Sequence, residues 1–276
     1  MSSVISSTLI LLGFCAGLSV PSAAVLRVCA DPSNLPYSNH AREGFENRIA
    51  DLIAEDLHQG IEYFWFPQRE NFFRKTVSQG LCDVVLGVPV GISSVDTTHS
   101  YYRSSYVFVS RLDQNLKLSS LDDTRLRALK IGVHVLSEQG DSLPPVYALT
   151  SRGIVHNLEG FSLFGNLTEK EPQMRLLDAV VNRQVDVAIT WGPLAGYYAR
   201  HSSVPLRLTP IQGDSANPNL PFHFDIAIGV RKGESALKEN LDAALQRRHD
   251  EIVSILRAFG VPQLSASAST NNPRKE

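Results

Sequence analysis

The chain has 276 residues, of which 43% are hydrophobic, and this is enough for one large domain or for two small lobes with separate cores. Its 26 basic and 28 acidic side chains give a formal net charge of −2 at pH 7 and are scattered along the sequence. The absence of a basic stripe argues against nucleic-acid binding, and no sustained run of one sign indicates a membrane surface or an interaction tail.

The first 24 residues carry no charge, and residues 4–18 are largely apolar. Small residues follow, so the segment predicts a secretory signal peptide over residues 1–24 that is cleaved near Ala23 or Ala24. No basic residue precedes the apolar run, and an uncleaved anchor is the alternative, although the run is short for a membrane span. We therefore expect a periplasmic protein with no membrane span after cleavage.

Strand and helix patterns alternate after this segment. The short apolar run within 81–89 predicts a buried parallel strand, and strands are also predicted at 26–30 and, with an aromatic bias, at 61–66. An apolar face between Phe45 and Leu57 predicts a helix between the first two strands, and a further helix is predicted to end at Gly80.

The same pattern then occurs a second time. Residues 183–196 repeat the arrangement of 80–91, in which a helix end is followed by an Asp, an apolar strand and a loop with Gly and Pro. Residues 129–133 likewise match the first strand. Two α/β lobes that face each other across a cleft are the expected result.

The predicted boundaries follow from strands that cross between the lobes. A β-rich run at 106–109 enters the second lobe, and runs at 206–210 and 222–230 return to the first. We assign 25–109 and 210–262 to lobe 1, 110–209 to lobe 2 and 263–276 to a flexible polar tail. Further helices are predicted at 144–152, 171–181, from residue 193, and at 235–260 in two pieces.

Two cysteines, Cys29 and Cys82, remain after the signal peptide. In an oxidising compartment such a pair is expected to form a disulfide. A simple register between parallel neighbouring strands could place their Cα atoms beyond the limit of about 7 Å, so two buried thiols are the alternative.

The loops at the carboxyl ends of the strands supply the candidate ligand-binding residues, because open α/β sheets bind ligands there. Each candidate has a structural alternative: Asp31 could only hold a turn, Trp191 could be a core residue, and the aromatic residues near Phe72 could be core. The candidates for the cleft wall are Asp31, Tyr37, Arg69, Phe72, Val88, Tyr101 and Trp191.

Several motifs, in order, resemble the quinoprotein-dehydrogenase-associated binding proteins, the MxaJ/XoxJ group. They cover nearly all of residues 26–261. The motifs are Cys29-Ala30-Asp31-Pro32 with Asn34-Leu35-Pro36, Gly44-Phe45-Glu46-Asn47, Pro67-Gln68-Arg69, the run 82–89, the run 101–109, and Trp191-Gly192-Pro193-Leu194-Ala195-Gly196-Tyr197.

The resemblance implies a type II periplasmic binding protein, with two α/β lobes joined by two hinge strands around a cleft. It also implies an accessory protein of a PQQ-dependent methanol dehydrogenase system, with the dehydrogenase and possibly its cytochrome c as partners. The chain departs from the family at Glu70-Asn71, where a second Arg and a Gly are more common, and this weakens any role assigned to Arg69.

Amino-acid receptors of this fold use two charged ligand anchors that the sequence lacks. The loop 90–100 contains no Arg to bind a ligand carboxylate, and Trp191-Gly192 occupies the place of the carboxylate that binds the amine. A receptor for a transporter of the ABC class, with a small ligand other than an amino acid, is therefore the alternative to the accessory role.

The sequence contains no recognised catalytic or metal-binding motif. G-x-S-x-G, H-E-x-x-H and a glycine-rich phosphate loop are absent, and the histidines share no ligand spacing. Asp83 and Asp186 begin strands, far from the loops, so structural roles are expected for both. We predict a non-enzymatic protein without a metal or cofactor.

Overall fold

The computed structural model describes residues 24–136, 143–164 and 171–264. Nearly all of the predicted signal peptide and of the predicted tail lie outside these residues. The strands are β1 Val25–Ala30, β2 Ser33–Asn34, β3 Ser38–Asn39, β4 Gly60–Trp65, β5 Val84–Pro89, β6 Asp96–Thr97, β7 Tyr102–Arg111, β8 Ile131–Val135, β9 Leu158–Ser162, β10 Val187–Trp191, β11 Leu206–Pro210 and β12 His223–Val230.

The helices follow the predicted order. They are α1 Phe45–Asp56, α2 Phe72–Lys75, α3 Pro144–Thr150, α4 Arg175–Val181, α5 Gly192–His201, α6 Ser235–Arg247 and α7 His249–Ala258, with 3-10 turns at Val77–Gln79, Leu112–Gln114, Thr124–Arg127 and Pro172–Met174. Within the described ranges, no helix combines the length and apolar character needed to span a bilayer.

A hydrogen-bonded path of strands runs through both lobes in the order β4-β1-β5-β12-β7-β10-β8-β9. The parallel strands β4, β1 and β5 form the sheet of lobe 1, and the parallel strands β10, β8 and β9 form that of lobe 2. The connecting strands β12 and β7 are antiparallel to their neighbours. This arrangement confirms the predicted two-lobed α/β fold with crossing strands.

Strand β7 makes the crossing in a single stretch. Its first residues, 102–105, pair with β12, whereas residues 106–111 pair with β10 and β11. The amide of Tyr106 donates to the carbonyl of Phe222, and its carbonyl accepts from the amide of Ile211. Tyr106 therefore lies at the point where the chain both leaves and re-enters lobe 2.

The segment between β11 and β12 packs on lobe 2, although the sequence assigned it to lobe 1. Ile211 and Phe222 are buried with Leu126 and Ile131 of lobe 2. Asp214 pairs with Arg152 in the same lobe. The second crossing consequently occurs near residue 222 and not near residue 210, because the apolar ends of this segment are buried in the core of lobe 2.

Each lobe buries apolar side chains on both faces of its sheet. In lobe 1, helices α1, α6 and α7 cover one face, and a cluster around the cysteines covers the other. Lobe 2 has one core beside β8 and α3 and a second beside α4 and α5. This double burial explains the nearly continuous apolar runs of β5 and β10 in the sequence.

Cys29 and Cys82 form a disulfide with a Cα–Cα distance of 5.5 Å. The ladder pairs Val28 with Val84, so Cys82 lies two residues before β5 begins. Because the chain is outside the ladder there, it can approach β1 more closely than a regular register allows. Phe72 and Val77 pack around this disulfide.

The predicted helix that ends at Gly80 is interrupted at Thr76. The backbone of Thr76 has φ −124° and ψ −94°, and it separates α2 from the 3-10 turn Val77–Gln79. The Thr76 hydroxyl donates to the carbonyl of Phe72 over 2.7 Å. The interruption directs Phe72 and Val77 onto the disulfide.

The amino end of α1 fixes the loop at the cleft edge of lobe 1. The amide of Phe45 donates to the carbonyl of Pro36 (2.8 Å), and the amide of Glu46 donates to the carbonyl of Tyr37 (3.0 Å). The Asn47 side chain accepts from the amide of Gly44, which caps the helix. Tyr37 is thereby held at the mouth of the cleft.

Candidate functional site

A cavity of about 390 Å³ lies between the two lobes. The β1–α1 and β4–α2 loops line it from lobe 1, Tyr106 from the hinge, and residues near the ends of β8, β9 and β10 from lobe 2. This is the end of the sheets at which the sequence placed the candidate ligand-binding residues.

Four of the seven candidates line the cavity: Asp31, Tyr37, Arg69 and Trp191. The structure brings them together from loops that are far apart in sequence. Their role in ligand binding stays a prediction.

The other three candidates, Phe72, Val88 and Tyr101, do not line the cavity. Phe72 and Val88 are buried in the cluster around the disulfide. Tyr101 is buried in the core of lobe 1, where its hydroxyl accepts a hydrogen bond from the amide of Gly87 (3.1 Å). For Val88, proximity to the end of β5 did not determine the side that it faces, because successive strand residues point to opposite faces.

Asp31 combines its two proposed roles. Its Oδ1 accepts from the amide of Ser33 (2.8 Å), and its Oδ2 accepts from the amide of Gln68 (2.7 Å). The carboxylate therefore closes its own turn and ties the two loops of lobe 1 together while it faces the cavity.

Two contacts span the cleft in front of the hinge. The guanidinium of Arg69 lies 5.7 Å from the centre of the Phe164 ring, a cation–π arrangement between the lobes. The side-chain amide of Gln173 donates to the carbonyl of Leu35 over 2.9 Å. These two contacts join the lobes next to the cavity.

Trp191 also combines its two proposed roles. Its ring packs edge-on against Tyr106 (5.5 Å) and Phe224 (5.6 Å) and contacts the cores of both lobes. It nevertheless lines the cavity. Trp191 is therefore an aromatic wall residue whose orientation is fixed by the hinge.

Several residues that line the cavity were not predicted, and the buried His134 is one of them. Its Nε2 lies 2.9 Å from the carbonyl of Gln173, and its Nδ1 lies 3.1 Å from the Thr190 hydroxyl. Burial lowers the pKa of His134 to about 4, so the ring is neutral near pH 7. Its position at the end of β8, which corresponds to that of Asp31 after β1, was the available sequence signal.

Glu46 was not predicted either; it does not line the cavity, but its backbone amide donates to the carbonyl of Tyr37, which does. The side chain is 7% exposed. Burial, and secondarily the negative charge of Asp31, raise the pKa of Glu46 to about 8. A neutral carboxyl group is therefore present beside the cavity at pH 7.

The part of the chain that the structure describes contains no group of three or more His, Cys, Asp or Glu side chains that could hold a metal ion.

No protein-family model matches the chain. A curated protein does: Protein MoxJ of Methylorubrum extorquens is 33% identical over 253 residues, which are 90% of this chain and 84% of the relative. The chain belongs to the MoxJ family. Protein MoxJ of Paracoccus denitrificans is 28% identical over 88% of this chain and 90% of its own length.

Two solved structures of binding proteins are also similar to this MoxJ-family protein. The periplasmic binding protein XoxJ from Methylobacterium extorquens AM1 is 31% identical, with a TM-score of 0.72 over 87% of this chain and 99% of its own. MxaJ from Methlophaga aminisulfidivorans MPT is 25% identical, with a TM-score of 0.75 over 87% of this chain and 100% of its own. The fold is that of a periplasmic binding protein.

A more distant similarity concerns the fold alone. An ancestral cationic amino acid solute-binding protein is 16% identical, with a TM-score of 0.66. In this MoxJ-family protein, none of the residues that line the cavity comes from the segment 84–100, and Trp191 forms the wall at the end of β10. The charged anchors expected of an amino-acid receptor do not line this cavity.

The departure of this MoxJ-family protein from the group at Glu70-Asn71 is conformationally conservative. Asn71 has φ +65°, a left-handed backbone that suits Gly best and Asn next. Glu70 is exposed, and Arg69 keeps its place on the cavity wall.

Proposed function

We propose that this chain is a non-enzymatic periplasmic binding protein that serves a PQQ-dependent methanol dehydrogenase system, with the dehydrogenase as its partner. Its cytochrome c is a further candidate partner. The proposed location is the periplasm, which the relatives named as periplasmic binding proteins support.

The observation that carries this proposal is membership of the MoxJ family over 90% of the chain, together with the resemblance of its motifs to the MxaJ/XoxJ group. The relatives named MoxJ, XoxJ and MxaJ connect the chain with methanol oxidation.

The lining of the cleft supports a binding role of a different kind from amino-acid transport. Its walls include Trp191, Phe164, Leu143, Leu163 and Leu194 beside a few polar groups. Apolar walls with a small number of placed polar groups are typical of binding pockets. We propose that a segment of the dehydrogenase enters this cleft.

The test is capture of purified PQQ-dependent methanol dehydrogenase on the immobilised mature chain, residues 25–276, by biolayer interferometry. Phe164→Asp places a carboxylate in the cavity wall and should abolish capture through the cleft. Val155→Asp is the matched control, because Val155 is half-exposed in the same lobe and does not line the cavity.

Capture by the wild-type chain and by Val155→Asp, but not by Phe164→Asp, would support the proposal. If the wild-type chain captured no dehydrogenase, with or without cytochrome c, the accessory role would be wrong. The alternative is a transporter receptor with a small ligand other than an amino acid, and a metabolite that raises the melting temperature would then favour it.

A further inference from the structure

Three aromatic side chains with polar atoms meet at the cavity. Tyr37 comes from lobe 1, Tyr106 from the hinge strand β7 and Trp191 from lobe 2. Among the described residues, the structure gives no hydrogen-bond partner to either hydroxyl or to the Trp191 ring N–H. None of these three atoms is completely buried. Each of these atoms therefore keeps some solvent exposure, in a residue that lines the cavity.

The three groups are held in place by packing. Tyr106 is 9% exposed and packs edge-on against Trp191 and Phe222, with ring centres 5.5 and 5.9 Å away. Tyr37 packs edge-on against Phe45 at 5.4 Å. Polar groups on fixed rings lose little conformational entropy when they bind a ligand.

The ionisable side chains of the cavity are already engaged. Both oxygens of Asp31 accept backbone hydrogen bonds. Arg69 lies over Phe164. Both nitrogens of His134 have partners within lobe 2. Because the lining holds both Asp31 and Arg69, a charged ligand would meet one like and one unlike charge. It would lose its hydration and would gain a counter-charge only by disturbing these contacts, which is costly in an enclosed site.

We propose that the cavity binds an uncharged group with a hydrogen-bond acceptor, and that Tyr37, Tyr106 and Trp191 are the residues that recognise it. The inference rests on the proposed role of the cleft as the binding site and specifies its ligand class. The group belongs either to a free neutral molecule or to an uncharged side chain of a partner. A ligand held by both lobes and the hinge also explains why these groups come from three separate parts of the fold.

The test uses three probes that share one aromatic ring and differ in charge: benzamide, benzoate and benzylammonium. The chain has two tryptophans, so Trp65→Phe leaves Trp191 as the only fluorescent indole. Trp65 packs beside His40 and Tyr63 and does not line the cavity. Titration of this variant reports binding at the Trp191 wall directly.

We expect benzamide to change the Trp191 fluorescence saturably and both charged probes to bind at least tenfold more weakly. Adding Tyr106→Phe should weaken benzamide binding about fivefold, since it removes one hydroxyl hydrogen bond. Tyr63→Phe is the matched control, because the Tyr63 hydroxyl donates to the carbonyl of Asn47 outside the cavity (3.4 Å). It should leave benzamide binding unchanged.

Benzoate or benzylammonium binding as tightly as benzamide would overturn the proposal. Unchanged Trp191 fluorescence up to the solubility limit of benzamide would also overturn it, as would equal effects of the two tyrosine substitutions.

A competition experiment distinguishes the two sources of the uncharged group. Loss of dehydrogenase capture at saturating benzamide identifies a partner side chain, and unchanged capture identifies a free molecule. If dehydrogenase capture fails while the probes discriminate by charge, the proposed partner is wrong and the ligand class stands. If capture succeeds but the probes do not discriminate, the ligand class is wrong.

Discussion

The carboxyl group of Glu46 is enclosed behind the cavity wall. Its backbone amide is bonded to the carbonyl of Tyr37, and its side chain lies against Gly87, where an added Cβ would meet the carboxyl oxygen. Burial is the first cause of its raised pKa, and the nearby charge of Asp31 is the second. The group is therefore a source of pH-dependent stability.

We expect Glu46→Gln to be more stable than the wild-type chain above pH 8. The pKa of Glu46 rises from an ordinary 4.5 to about 8 on folding, so the folded state binds this proton more tightly than the unfolded state. The resulting stability is complete below pH 4.5 and is lost as the pH rises through 8. Removing the ionisation should restore up to roughly 5 kcal/mol at alkaline pH.

Urea unfolding of both proteins between pH 4 and pH 9 measures this difference, which should shrink towards the acidic end. Glu62→Gln, at an exposed position in β4, controls for the change in net charge. A difference between wild type and Glu46→Gln that stays constant over the range would contradict the argument.

At the scale of single residues, sequence position predicted part of the site. Asp31 and Trp191 were predictable, because Asp31 directly follows β1 and Trp191 is the last residue of β10, at the end of the sheets where the loops meet. Val88 also lies near the end of a strand, but it faces the disulfide cluster. The position of His134 at the end of β8 was visible in the sequence, but the shifted pKa values of His134 and Glu46 were not, because they come from burial among groups that are distant in the chain.

At the scale of elements, β5 contains a bulge opposite β12. Val85 pairs with Gly229 and Val88 pairs with Ala227, so two residues of β5 face one of β12. Gly87 is one of these two residues and has φ +74°. Its amide donates to the Tyr101 hydroxyl, so the bulge positions Tyr101 in the core and not at the cleft.

We expect Gly87→Ala to destabilise lobe 1 more than Gly91→Ala does. Gly91 has φ +87° and no atom within 4 Å of an added Cβ, so its substitution measures the backbone cost alone, about 1 kcal/mol. At Gly87 the Cβ would also collide with the buried Glu46 carboxyl, which adds about 1–3 kcal/mol. Thermal unfolding of the two variants side by side measures the difference, and equal losses would show that Glu46 gives way without cost.

Sequence patterns predicted some of the secondary-structure elements and not others. Apolar runs and the repeated strand–loop arrangement predicted the parallel strands of both lobes. The interruption at Thr76 and the packing of 211–222 on lobe 2 were not predictable. The interruption at Thr76 depends on a backbone conformation that packs Phe72 against the disulfide. The packing of 211–222 depends on the burial of Ile211 and Phe222 in the core of lobe 2.

At the scale of the whole molecule, the lobes also touch behind the hinge. In α5 of lobe 2, Gly196 lies so close to Gly260 that a Cβ would collide with the Gly260 carbonyl. The Ser104 hydroxyl donates to the carbonyl of Pro262 (2.6 Å), and the amide of Leu264 donates to the carbonyl of Arg103 (2.9 Å). The end of the described chain thus connects α5 and β7 across the back of the molecule.

Contacts on both sides of the hinge make the relative position of the lobes resistant to change. A rotation that separates Gln173 from Leu35 at the front must also move α5 against residues 260–262 at the back. Because α5 and the turn at Gly260 approach each other through the backbone of Gly196 and Gly260, adding even one methyl group at this interface requires one of them to move. The cavity that depends on both lobes should respond to a substitution on the opposite side of the hinge.

We expect Gly196→Ala to displace the lobes and to weaken benzamide binding at Trp191, although residue 196 does not line the cavity. The overpacking should cost about 1–3 kcal/mol of stability. Small-angle scattering would report the displacement as a larger radius of gyration, and Trp191 fluorescence would report the weaker binding. Gly213→Ala is the matched control, since no atom lies within 4 Å of its added Cβ. A Gly196→Ala protein with wild-type scattering and binding would show that the back contact can relax locally, and the two lobes would then be independent of it.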